Sequence, residues 1–569
     1  LYFRIRLAKL TVLSQQDQNL NAGDKCMSNA YFKVPKPINE PVYSYAPGSP
    51  EKVELKKKLT EMSGSEIEIP LIIGGKEVRT GNLAEIRAPH NHAIKLGVYH
   101  KAGAKEVKLA IDAALEARHL WADMPWEHRA TIFLKAADLL AGPWRATLNA
   151  ATMLGQSKTA YQSEIDAVAE LCDFWRFNTY YMTQLMGDQP YSPAGIWNRL
   201  EYRALEGFVF AVTPFNFTSI AGNLPTAPAM VGNVALWKPA SSAVYSAYFL
   251  MKLFEEAGLP AGVINFVPGS GGQVGNPVME SPYLAGIHFT GSTEVFQNMW
   301  KTVGNNISKM KYYPRIVGET GGKDFIFVHA SAKVRPLVTA AIRGAFEYQG
   351  QKCSAASRMY IPKSLWPGFK KLYVEEVAKI KMGVPDDFRN FMTAVIDKAA
   401  YESIKSYIDL ARASEEAEIL TGGGCDESKG FFIEPTTIVT RNPHFRTMEE
   451  EIFGPVLTIY VYEDKDFETA LELCDSTSPY ALTGCIWAQD RQALIKMSDR
   501  LRNAAGNFYL NDKPTAAVVG QQPFGGGRAS GTNDKAGSAM NILRWMTVRT
   551  IKETMVPAED WSYPFMKEQ

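Results

Sequence analysis

Apolar residues recur every third and fourth position through much of the first third of the chain. Val107, Ala110, Ile111 and Ala114, then Ile132, Phe133, Ala136, Leu139 and Leu140, predict amphipathic helices between about residues 107 and 171. From Gly207 the pattern changes. Short uncharged runs at Gly207–Thr213, Val234–Trp237, Val263–Val267 and Gly286–Phe289 have strand length, and Ala243–Ala257 between them reads as a helix. Alternation of this kind predicts a parallel sheet covered on both faces. Such sheets take ligands at the carboxyl ends of their strands, so the residues just after each strand are the first candidates for a site. Further on, Val334, Leu337, Val338, Ala341, Ile342, Ala345 and Phe346 predict another helix, capped by Ser331 and stopped by Gly350.

The amino-terminal stretch has a different character. Arg4, Arg6 and Lys9 lie among apolar residues with no acid before Asp17, the pattern of a mitochondrial presequence, with a disordered tail as the alternative; the presequence reading places the expected location in the mitochondrial matrix. Pro35, Pro37, Pro41, Pro47 and Pro50 follow and predict an extended segment over the surface. Ser49-Pro50 then reads as an N-cap and first-turn proline, opening a helix through Lys58.

Composition narrows the function classes. The chain has 569 residues, enough for a large core without staples. Its 61 basic and 60 acidic residues give no support for a protein held to nucleic acid by an overall basic surface, a local patch aside. Six cysteines cannot form a disulfide framework, which leaves room for one chemically active thiol. Gly207 to Trp237 carries no charge, but Pro214, Pro225, Pro228, Asn216, Asn223 and Asn233 interrupt it. Prolines break helices and amides in lipid need partners, so strands and loops at a working site are expected there, not a membrane span.

Several residues carry candidate chemistry. Pro214-Phe215-Asn216-Phe217 and Lys238-Pro239 follow predicted strands. Gly291-Ser292-Thr293 follows another and either caps a helix or offers N–H groups to a phosphate. Lys238 either meets a ribose or phosphate or is a solvated strand-end lysine. Cys353 falls in Gly350-Gln351-Lys352-Cys353-Ser354-Ala355; Lys352 would favour its thiolate, whereas an inert buried cysteine is the alternative. Glu319, in Gly318-Glu319-Thr320-Gly321-Gly322-Lys323, is a general base or a turn residue holding backbone N–H groups. The eight histidines form no HExxH and there is no paired CxxC, so no metal site is expected.

Taken in order, Thr213–Phe217, Trp237-Lys238-Pro239, Phe289–Thr293, Gly318–Lys323, Gly350–Ala355 and Glu450–Pro455 resemble the aldehyde dehydrogenase superfamily, over almost the whole chain after about residue 40. The resemblance extends to a branch acting on glutamate γ-semialdehyde, on the strength of Ile132–Asp138, Glu206-Gly207-Phe208, Phe346–Ala355, Asn503–Asp512 and Val519–Lys535.

The resemblance implies an α/β fold with a Rossmann-like NAD-binding domain (39–184 and 204–318), an α/β catalytic domain (319–535), and a β-flap for oligomerisation with a C-terminal tail (185–203 and 536–569), after an extension at 1–38. It implies Cys353 as nucleophile, Glu319 as base and Asn216 as oxyanion donor together with the Cys353 N–H. NAD would meet Thr213, Phe215, Lys238, Gly291, Ser292, Glu451 and Phe453. The substrate would meet Ser354, Glu170, Ala516, Ala517 and Phe524; for Glu170 a surface helix charge is the alternative. The partners implied are a small-molecule aldehyde and a second copy of the chain, a dimer at least, with no nucleic acid and no membrane span. The competing functions are an enzyme for another acidic aldehyde and a catalytically silent protein on the same fold.

Three departures from the family pattern stand out. Phe296 replaces a glycine, as is common in this branch. Ser241, three after Lys238, replaces the glutamate of strongly NAD-selective members, which leaves NADP open. Ala516-Ala517 replaces the Gly-Ser of the substrate loop, removing one side-chain donor.

Overall fold

The computed structural model describes residues 30–567; the basic amino-terminal stretch lies outside them. Two seven-stranded sheets organise the chain from Lys36 onward. In the first, the order is Arg315–Glu319, Leu284–Thr290, Phe208–Val212, Val234–Lys238, Ile264–Phe266, Leu71–Ile73 and Lys76–Val78. The first five strands are parallel and the last two join antiparallel. The parallel part begins at Phe208–Val212, runs outward through the next two strands, then returns to the other side at Leu284–Thr290. The reversal leaves a crevice at the carboxyl ends of these two strands, where a parallel sheet takes its ligand. Val234–Lys238 and Leu284–Thr290 are buried along their whole length, as uncharged runs between helical layers require.

The second sheet runs Ala417–Thr421, Thr436–Thr440, Val456–Tyr462, Ala356–Pro362, Asp324–Val328, Thr483–Trp487 and Asn507–Leu510, parallel except at its first edge. A separate two-stranded ribbon pairs Ile196–Ala204 with Met546–Thr554. Among the described residues no helix is long and apolar enough to cross a membrane.

Several local expectations are corrected. The helix after Ser49 runs Pro50–Ser63, five residues beyond Lys58, and the Ser49 hydroxyl makes no capping bond. Ser331 does not cap the helix Val334–Phe346; its Oγ accepts the N–H groups of Gln489 and Asp490 instead. That helix ends at Phe346, before Gly350. Pro225 and Pro228 do not break the uncharged stretch but lie inside a helix, Thr218–Met230. Each proline removes one helical N–H, and burial makes the orphaned carbonyl costly. His288 Nδ1 meets the Leu224 carbonyl, four residues before Pro228, at 2.9 Å. Tertiary contact therefore repairs what the sequence breaks. The proline-rich arm has no helix or strand up to Pro50, but it is stitched into the protein and not merely laid over it: Tyr45 is buried and its hydroxyl donates to Glu164 at 2.7 Å.

Candidate active site

Cys353 sits between two cavities. One, of about 750 Å³, opens at the crevice of the first sheet; the other, of about 380 Å³, lies on the opposite side. Phe289, Thr290 and Cys353 line both.

The thiol reaches this position through an unusual backbone. After Phe346 the chain makes a tight turn in which Tyr348, Gln349 and Gly350 all have left-handed φ, at 52°, 55° and 65°. A Cβ at Gly350 would lie 2.1 Å from the Gly454 carbonyl, so only glycine fits. The strained Gln349 is held by its buried side chain: Nε2 donates to the carbonyls of Ser157 and Ala394 and to Thr393, and Oε1 accepts from the Thr393 N–H. The Tyr348 hydroxyl donates to the Gln156 carbonyl. Gly322 lets the Glu319–Lys323 loop pass beneath the thiol loop, since a Cβ there would lie 2.2 Å from the Cys353 carbonyl.

Burial dominates the electrostatics. The Cys353 thiol is pushed well above its ordinary value by desolvation, then by the carboxyls of Asp324, Glu319 and Glu451. Lys352 does not offset this, contrary to the expectation from sequence: its ammonium is buried against Glu347 at 3.2 Å and its charge is already answered. Glu319 is the last residue of its strand, not a turn residue. Its carboxyl rests against Gly525 and accepts a long 3.4 Å bond from the Gly526 N–H. Desolvation raises its pKa well above the carboxylate range, offset in part by the Gly526 N–H and Lys535. Asn216 is buried and donates Nδ2 to the Gln351 carbonyl at 3.1 Å.

The larger cavity is lined by Thr213, Phe215, Lys238, Gly291, Ser292, Glu451 and Phe453, every residue the sequence offered for a dinucleotide. Lys238 is not a solvated lysine. It is buried, with its ammonium on the Pro239 carbonyl at 3.2 Å, and desolvation lowers it to about 8. Glu451 accepts from the Gly322 N–H at 2.8 Å and is raised by burial to about 7. Ser292 caps the helix Thr293–Asn306, whose amino end faces the cavity. Phe296 stacks on Phe289 at 5.3 Å and packs its ring edge on Gly318, so the departure at this position is absorbed by the wall. A buried cation, a carboxylate and a helix amino end form a donor set that fits a ribose-phosphate chain.

The smaller cavity is lined by Ser354, Glu170, Ala516, Ala517 and Phe524, again as a set, together with Glu319. Glu170 closes a π-helical turn, Glu164–Glu170. It accepts from the Ser219 hydroxyl at 2.7 Å and is raised by burial to about 7, so it is a wall of the cavity and not a surface charge. Asp166 in the same turn accepts the N–H groups of Thr218 and Ser219 and the ammonium of Lys158. It thereby caps the helix that follows Asn216. Sequence reading missed Lys352, Lys513, Asp173 and Asn39 as lining residues. Lys352 and Lys513 had a local signal, the first beside the thiol and the second four residues before Ala517.

A nucleophile, a side-chain amide and a carboxyl gathered where two cavities meet are the parts of acyl chemistry on a thiol. Residues 78–551 match the aldehyde dehydrogenase family. The chain belongs to that family. This aldehyde dehydrogenase is 53% identical over 540 residues to the mitochondrial delta-1-pyrroline-5-carboxylate dehydrogenase of Dictyostelium discoideum, covering 94% of this chain and 97% of the relative. It is 49% identical to the mitochondrial enzyme of the same name from Homo sapiens, covering 94% and 95%. Among solved structures it resembles delta-pyrroline-5-carboxylate dehydrogenase from Mycobacterium tuberculosis bound with NAD, with a TM-score of 0.92 and 50% identity over 95% of this chain and all of the other.

Proposed function

We propose that this aldehyde dehydrogenase oxidises L-glutamate γ-semialdehyde to L-glutamate with NAD, in proline catabolism, through a thioester on Cys353. The observation that carries the mechanism is the place of Cys353 on the walls of both cavities, reachable by an aldehyde from one side and a dinucleotide from the other.

Sγ adds to the aldehyde carbon, and the thiol proton leaves to a base. The oxygen that gains charge is held by the Asn216 amide and the Cys353 N–H, donors fixed before the reaction begins. NAD, when bound, would supply the acceptor for the hydride of this carbon, whose C–O⁻ bond becomes the C=O of the thioester. Lys238, Glu451 and the amino end of Thr293–Asn306 would hold its riboses and phosphates, with Phe215 and Phe453 as an aromatic pair beside it, their rings 5.7 Å apart. Glu319 then takes a proton from water as the water oxygen adds to the thioester carbon. The C–S bond breaks, the acid leaves, and Sγ is regenerated. A base raised by burial suits this step, because its ionised form binds a proton more strongly than an ordinary carboxylate does. The substrate's carboxylate would lie toward Ser354 and the Ala516-Ala517 backbone, and its ammonium toward Glu170.

The high identity to relatives named mitochondrial supports a place in the mitochondrial matrix. The ribbon of Ile196–Ala204 and Met546–Thr554, with exposed Trp561 and Tyr563 beyond it, supports a flap that joins two or more copies. Domains at 39–184 with 204–318 and at 319–535 fit one seven-stranded sheet each.

The test is NADH formation by purified protein with glutamate semialdehyde and with aliphatic aldehydes lacking the carboxylate. Preference for the semialdehyde is expected. Equal rates would overturn the substrate, and no turnover with any aldehyde would overturn the mechanism.

A further inference from the structure

We propose that Asn39, in the proline-rich arm, is a positioning residue for the smaller cavity: it latches the loop Thr515–Gln521 to the helix Leu171–Met186. Its side chain makes three bonds. Nδ2 donates to Asp173 Oδ2 at 2.7 Å and to the Val519 carbonyl at 2.8 Å, while Oδ1 accepts from Gln521 Nε2 at 3.0 Å. One amide thus spans a helix and a loop that lie nearly 350 residues apart in sequence.

The arm is anchored well enough to serve as a fixed point. The Glu40 N–H donates to Asp173 Oδ1 at 2.7 Å. The Glu40 carboxylate bridges Arg145 at 2.7 Å and Arg176 at 2.6 Å, and Arg145 also pairs with the buried Glu164. The Tyr43 N–H and the Tyr45 hydroxyl both donate to that same glutamate. Paired, hydrogen-bonded charges of this kind fix geometry even where their net contribution to stability is small.

Asn39, Glu40 and Val42 line the smaller cavity beside Asp173, Ala517 and Val519. The latched loop carries Ala516 and Ala517, which offer no side-chain donor. Recognition of a carboxylate there falls on backbone N–H groups, and these work only if the loop is held in place. This last step rests on the function proposed above; the latch itself does not.

Asn39→Ala and the isosteric Asn39→Asp, which cannot donate, test the latch in the full-length protein. Hydrogen exchange of peptides covering residues 513–522 should quicken at least tenfold in both variants, with peptides from 234–238 and 284–290 unchanged. KM for glutamate semialdehyde should rise about tenfold, while kcat and KM for NAD stay within twofold. Wild-type exchange at 513–522 in a folded variant would overturn the latch. Quickened exchange with an unchanged KM would overturn its role in binding substrate. Should Asn39→Ala fail to fold, Asn39→Asp decides alone. A wild-type enzyme inactive on the semialdehyde would remove the function and leave the exchange result standing.

Discussion

Asn216 gives one hydrogen of its side-chain amide to the carbonyl of Gln351, two residues before the thiol of Cys353. The loop leaving the first sheet is thereby tied to the loop that carries the thiol, and the second amide hydrogen remains for a substrate oxygen. Asn216→Ala should lower kcat by roughly 10²–10³, the usual loss for one oxyanion donor. Steady-state kinetics checks this; a loss under about threefold would make Asn216 a structural tie only.

Cys353→Ala should abolish NADH formation and leave NAD binding within a few fold, because only one edge of the larger cavity is altered. Titration calorimetry with NAD, alongside the activity assay, separates the two effects. Full turnover would rule out thioester chemistry.

Glu319 is raised by burial, and only its ionised form can take a proton from water. Thioester hydrolysis should therefore speed up as pH rises through that raised value and level off above it. Glu319→Gln should remove this dependence and slow hydrolysis, leaving a burst of NADH before a slow steady state. Stopped-flow absorbance from pH 6 to 10 shows both. A wild-type steady state in the variant would exclude the base.

Lys238 holds its proton below about 8 and loses it above. A cation favours the ribose-phosphate chain, so NAD affinity should be greatest below that value and fall as pH rises through it. Lys238→Met should bind NAD more weakly at pH 7 and show a flatter profile. Fluorescence titration across pH 6.5–9.5 measures this, and parallel profiles for the two proteins would contradict it.

Ala517→Ser restores a donor to the substrate loop. It should lower KM for glutamate semialdehyde by about tenfold or less, since the new hydroxyl would replace a bond that water can supply to a carboxylate at a cavity mouth. The carboxylate's charge is the same in ground and transition states, so kcat should not move. An aliphatic aldehyde of similar length is the control; equal improvement for both would show that the loop does not read the carboxylate.

Four strands of the first sheet were legible, Phe208–Val212, Val234–Lys238, Ile264–Phe266 and Leu284–Thr290, because they are short apolar runs that end at or just before residues lining the crevice: Thr213, Lys238, Gly291; Leu71–Ile73, Lys76–Val78 and the charged Arg315–Glu319 were not. The rule that ligands gather after strands found half the site. It could not find Cys353, which precedes its strand, Ala356–Pro362, and so enters from the amino edge of the second sheet. Helical periodicity and Gly350 put Cys353 in a loop but left an inert cysteine as the alternative; the resemblance to a family gave it the nucleophile's role. Pro225 and Pro228 misled for a different reason, since a local rule about helix breaking does not see a histidine on another strand. Lys352 misled because neighbours in sequence need not be partners in space. Asn39 carried no signal, as its three partners come from helix and loop segments that only the fold brings together.

The ribbon that closes the chain also bears on how the protein is made. Trp545 is wholly buried in the core of the first sheet, against Gly286 and His288, and its carbonyl accepts from Asn233, 312 positions earlier. The first sheet leaves the ribosome long before this tryptophan does. Until it arrives the sheet has a socket in its core and Ile196–Ala204 has an open edge, the kind of surface that aggregates. The sheet synthesised first is therefore completed only after the second, and a chaperone that shields it would have to wait until Trp545 has left the ribosome.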